Sequence, residues 1–161
     1  MSLIKEMVKA TGKLNIQITG PDGLVKESIY IPNLVVTVGK NYIANRMKDG
    51  VSGFTQEAQM SHMAVGDESL AQNGGADPAA GDTTLGNEIA RVALATAGGT
   101  VAAAVVTYNA TFNPGTGTGA IVEAGIFNDS TAGTLLCRTT FAVVNKGADD
   151  TMSITWTVTI S

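Results

Sequence analysis

The stretch TMSITWTVTIS, residues 151–161, decides how this chain is read. Met152, Ile154, Trp156, Val158 and Ile160 alternate with Ser153, Thr155, Thr157 and Thr159, the period-two pattern of a half-buried β-strand. Successive strand side chains point to opposite faces, so the apolar set forms one core face with the chain's single tryptophan at its centre. Such a strand needs neighbours for its backbone groups, and residues 120–127 and 134–144 read as the segments best suited to flank it. The pattern predicts a β-sandwich closed by the C-terminal strand.

Outward from that strand, the chain reads as short extended segments joined by turns. Leu14, Ile16 and Ile18 alternate with polar residues, and Gly20-Pro21-Asp22-Gly23 supplies the fixed φ, the side-chain acceptor and the positive φ of a reversal. Residues 14–31 therefore predict a hairpin ended by Pro32 and Asn33, and residues 1–12 before it read as a frayed terminus, a loose amphipathic turn or an extended arm that docks elsewhere. Ala44, Ile43 and Met47 then fall at helical spacing, with Thr37 as N-cap and Gly50 as stop, which predicts one short helix carrying a narrow apolar stripe. Residues 59–66 predict a strand with Met60, His62 and Ala64 on one face and Met63 and Val65 on the other. The Gly-, Ala- and Asp-rich residues 67–82 predict a long exposed loop. Strands follow at 85–94, 101–112, 120–127 and 135–144, giving about eight in all at the spacing usual for sandwiches. The chain divides into an N-terminal arm and hairpin, 1–33, and a sandwich, 34–161, packed as one unit.

Composition narrows what such a domain does. The 161 residues suffice for a core without staples. A formal charge of −4 with no cluster of Lys and Arg argues against nucleic acid as a partner. The lone Cys137 rules out an internal disulfide, and the longest uncharged run is broken by Pro114 and rich in Gly, so it predicts no membrane helix. The first ten residues lack the apolar run of a signal peptide.

The residue types that carry chemistry are sparse. His62 is the only histidine and lies among Met and Ala, which fits a structural role better than that of a catalytic base. Cys137, after two leucines, reads as a small core residue. One His and one Cys cannot fill a tetrahedral metal site, and Asp67, Glu68, Asp77 and Asp82 match no calcium-loop spacing, so they read as a solvated acidic loop. Gly115-Thr116-Gly117-Thr118-Gly119 lacks the lysine of a phosphate cradle and leads into a strand, so it reads as a turn. Glu123 stands among apolar residues, where a carboxylate is usually paired, and Arg138 on the next strand is the expected cross-strand partner. These features predict a non-enzymatic protein without metal or cofactor.

Four segments carry a resemblance: GAIVEAGIF (119–127), GTLLCRTTF (133–141), VNKGADDT (144–151) and the Trp156 strand. In this order they resemble small virion structural proteins of tailed bacteriophages, and LVVTVGKNYIA (34–44), MAVG (63–66) and DTTL (82–85) look like the helix and loop signatures of the same proteins. The resemblance implies a capsid decoration or cement protein, a jelly-roll-like homotrimer at the capsid surface that bridges neighbouring major capsid proteins. Tail-fibre or collar proteins share such patterns and stand as the alternative, although a fibre would be longer and repetitive. A carbohydrate-binding module is the second alternative, opposed by an aromatic content of only 5%.

Overall fold

The structure, a computed structural model, describes residues 6–48, 53–67 and 77–161. Nine strands form one antiparallel sheet, and a single helix lies among the described residues. The strands are β1 (Ala10–Thr19), β2 (Val25–Val35), β3 (His62–Gly66), β4 (Glu88–Ala93), β5 (Thr100–Ala102), β6 (Val105–Phe112), β7 (Gly119–Phe127), β8 (Leu135–Lys146) and β9 (Thr151–Ile160), with α1 (Thr37–Arg46) between β2 and β3. Their order across the sheet is β4-β3-β7-β8-β2-β1-β9-β6-β5. The fold is mainly β, and the sheet curls into a half-barrel. Its corner is the contact between β2 and β8, which pair only at Leu34 with Arg138 and Val35 with Cys137.

The C-terminal strand takes neighbours other than those expected. β9 pairs with β1 and β6, whereas residues 120–127 and 134–144 pair with each other as β7 and β8 in the opposite wing. The reason lies in side-chain matching. Trp156 stands opposite Leu14 and Tyr108, Ile154 opposite Ile16 and Ala110, and Met152 opposite Ile18 and Phe112, so three strands present apolar rows in one register. The N-terminal hairpin therefore sits at the middle of the sheet. β2 also runs through Pro32 to Val35; β8 joins only at Leu34, so at Pro32 that edge is open and a missing N–H costs no ladder bond. The arm is shorter than expected, since Ala10 to Gly12 belong to β1 and Lys9 already exchanges backbone bonds with Ser161 at 2.6 and 2.9 Å.

Both wings contribute to one core. Leu14, Ile16, Phe112, Met152, Ile154 and Trp156 from the β1–β9–β6 wing meet Met63, Val65, Ile121, Ile126, Cys137 and Val144 from the other. Met60, expected to share a face with His62, lies in this core with Met63, because the chain is not yet a regular strand before His62. A smaller cluster, Val36, Ala64, Leu85, Phe127 and Leu135, fills the outer face of the β3–β7–β8 wing.

Two further expectations change. Residues 101–112 form a hairpin, β5 and β6, turned at Ala103, whose φ of 50° is left-handed. Residues 85–87 precede β4 as irregular chain, with Leu85 buried in the outer cluster.

The helix is not the striped one expected. Val36 is its N-cap, no side chain caps it, and it buries Gly39 and Tyr42, while Met47 is 83% exposed. Contact decides this face: a Cβ on Gly39 would collide with the carbonyl of Leu136, so α1 lies with its backbone directly on β8. Tyr42 then reaches inward, and its hydroxyl oxygen accepts the Met60 N–H at 3.2 Å. The expected stop at Gly50 lies outside the described residues.

Candidate functional site

The densest group of buried charge is built on the outer face of β7 and β8. A break in register between Ile121 and Glu123 shifts the phase of β7, so Ile121, Ala124 and Ile126 face the main core while Glu123 turns to the other side. Arg138 alternates with Cys137 in the same way and emerges beside it. The two do not stand directly opposite, since Glu123 pairs with Thr140 and Arg138 with Gly125, and the diagonal suits the reach of arginine.

Glu123 and Arg138 are both fully buried and bonded. The Arg138 Nε and Nη2 groups donate to Glu123 Oε2 at 3.0 and 2.8 Å, and Nη1 donates to Asp82 Oδ2 at 2.9 Å. The remaining acceptor capacity is used by backbone: Gly86 N–H donates to Glu123 Oε2 and Asn87 N–H to Oε1, both at 2.8 Å, while Ala79 N–H donates to Asp82 Oδ2 at 2.9 Å. Asp82 is thus buried and paired, not part of a solvated acidic loop as expected; a buried guanidinium, with its several donors, draws a second carboxylate. Gly66 is required here, because a Cβ would collide with the Glu123 carboxylate and the Asn87 carbonyl. Nearby, Asn87 Nδ2 donates to Asp67 Oδ1 at 2.6 Å, and Thr37 N–H donates to the Ala80 carbonyl at 2.8 Å. The segment 79–87 is therefore clasped to the sheet and to the start of α1. Glu68 lies outside the described residues.

This arrangement suits structure better than chemistry. Each carboxylate oxygen on Glu123 already accepts from a backbone N–H, the guanidinium bridges two acids, and neither Glu123 nor Arg138 reaches solvent. A general acid or base must meet its substrate, and here nothing can approach.

The other candidates are placed as follows. His62 is half-buried and its Nδ1 lies 2.8 Å from Ser61 Oγ, while the carboxylate of Asp129 accepts from Thr131 N–H and Ser130 Oγ. Cys137 is buried, and burial pushes its thiol well above the usual range, so it stays protonated. Glycines 115, 117 and 119 all take positive φ, as their turn requires. Among the described residues no three of His, Cys, Asp and Glu are grouped to hold a metal ion, and no helix is long and apolar enough to cross a membrane. On β9, Met152, Ile154, Trp156 and Val158 are buried, and Ile160 is half-buried at the sheet's end.

Sequence reasoning found the Glu123–Arg138 pair but missed Asp82, Gly66 and the two N–H donors. The signal for Asp82 was an acid followed by a buried leucine, Leu85, which ties that end of the loop down. Comparison with protein-family models, with curated proteins and with solved structures returns no match.

Proposed function

We propose that this chain is a non-enzymatic structural protein of a tailed-phage virion, a capsid decoration protein that bridges neighbouring major capsid proteins. One observation carries the reading: residues from separate segments of the phage-like motif set, Gly66, Asp82, Glu123 and Arg138, meet in one buried clasp. A motif set whose polar members are spent on holding a loop to a sheet fits a protein selected for a rigid shape. On this reading the curled sheet, with two wings facing one core, is a variant of the jelly-roll-like sandwich, and the docked copies stiffen the shell through many weak contacts at high effective concentration.

The test is immunogold labelling of virions from a lysate that contains this protein. Label spread over capsids is the expected result. Label confined to tails would replace the decoration role with a tail-appendage role, and particles without label would remove the virion reading altogether.

A further inference from the structure

The two ends of the β1–β9 pair are chemically opposite. At the end where β1 begins, Met7, Val8, Ile43, Met47 and Ile160 line an open groove of about 840 Å³ between the N-terminal segment, α1 and the end of β9. Met7, Val8 and Met47 are 71%, 75% and 83% exposed, so the groove is open to a partner. Lys9 and Lys40 stand on its rim, while at the far end of α1 Arg46 donates to the Glu57 carbonyl at 2.8 Å and Lys48 lies over the Phe54 ring. The opposite end, about 30 Å away along ten residues of β1, is the β1–β2 turn. There Leu24 and Val25 are 66% and 52% exposed, amid Asp22, Glu27 and Asp149; Lys26 is committed to Asp150 at 2.6 Å.

We propose that copies of this chain associate head to tail, the Leu24–Val25 turn of one copy seated in the basic apolar groove of the next. The occupant is fixed by complementarity: an acidic rim around a small apolar tip meets a basic rim around an apolar groove. The rest of the charge agrees. The charged residues that line the groove are Lys9 and Lys40, on a chain whose formal charge is −4. A contact between unlike surfaces is heterologous, so it closes only as a ring or grows as a chain. A closed ring is the form that a trimeric assembly would take. The proposal stands whether or not the protein belongs to a virion.

The turn itself is preformed. Asp22 Oδ1 accepts the Leu24 N–H at 3.0 Å, and Gly23 supplies a φ of 78°. The Lys26–Asp150 pair holds its base to the β8–β9 connection, so little order is lost when it docks.

The experiment is sedimentation of the purified chain, of Leu24→Gln, of Met47→Gln, and of the two variants mixed, over micromolar to submillimolar concentration at low and high salt. Both positions are exposed, and matching thermal melts establish that both variants fold. The wild type is expected to associate, less strongly at high salt because the rims are solvent-facing charges. Each variant alone should dissociate by about tenfold more, the loss that one unburied apolar side chain brings. The mixture should recover a one-to-one pair and stop there, because Leu24→Gln keeps an intact groove and Met47→Gln an intact turn. A monomeric wild type would overturn the proposal, as would a variant that associates like wild type or a mixture that stays monomeric. If removing residues 1–5 abolishes association while Leu24→Gln leaves it intact, the N-terminal segment of a neighbour fills the groove and the hairpin assignment is wrong.

Discussion

Around Glu123 and Arg138 the β7–β8 wing is buried on both faces, and the two faces hold the chain by opposite means. Inward, Ile126, Cys137 and Val144 join the apolar rows around Trp156, where contacts are many and few are directional. Outward, Glu123, Arg138 and Asp82 hold residues 79–87 through a few directed bonds. The difference is one of tolerance. A packed apolar core responds to lost volume and forgives shape-conserving exchanges, whereas a buried ionic group responds to the loss of any one partner.

The largest effect is expected inside. Trp156→Ala removes the largest fully buried side chain and leaves the Asn33 side chain, which accepts the indole N–H at 3.0 Å, without its donor. Destabilisation of about 4 kcal/mol is expected from the usual cost of a large core truncation, read as the shift of a urea unfolding curve. A loss of about 1 kcal/mol or less would mean that the two wings do not share this core.

The next effect sharpens the contrast through an exchange that conserves shape. Glu123→Gln keeps volume and still lets an oxygen accept one backbone N–H, yet it turns an amide N–H₂ group toward the guanidinium or the backbone donors. A cost of about 3 kcal/mol is expected, as for breaking a buried ion pair, while Ile16→Leu on the inner face should cost under about 1.5 kcal/mol. Equal costs would erase the distinction between the faces. Opening of the loop alone, without global unfolding, would appear as faster hydrogen exchange at Gly86 and Asn87, the amides bound to Glu123.

The sequence was legible where one physical rule acted alone. β9, the Pro21–Gly23 reversal and the partnership of Glu123 with Arg138 followed from alternation, turn chemistry and the cost of a buried charge. It was opaque where a non-local contact decided. β9 chose β1 and β6 because their apolar rows match its register, a fact held in segments far apart in the chain. The break in register at Glu123 leaves no mark in composition, and it alone sends the carboxylate outward. Ala103 turns a hairpin without Gly, Pro or Asn, so no turn signal was there to read. Gly39 mattered through the Leu136 backbone it touches, which helical periodicity does not register.

The smallest effect concerns the connection between the two wings. Asp150, in the turn from β8 to β9, accepts from Lys26 Nζ at 2.6 Å and from Gly147 N–H at 2.9 Å. The Lys26 bond, then the Gly147 N–H, hold the Asp150 carboxyl below its usual range, and the same carboxylate raises Lys26. The sign follows from linkage: a depressed carboxylate adds stability that is complete above its unfolded value, about pH 4, and is lost as pH falls through the lower folded value. Lys26 contributes at the other limit, and that part is lost only as pH rises through its raised value. Asp150→Asn should therefore be less stable than wild type at neutral pH, and the gap between their unfolding midpoints should close as the solution is acidified below about pH 4. A gap that stays constant down to acid pH would mean that Asp150 acts through its turn geometry, which asparagine also supports less well, and that the charge pair between the hairpin and the β8–β9 connection adds nothing.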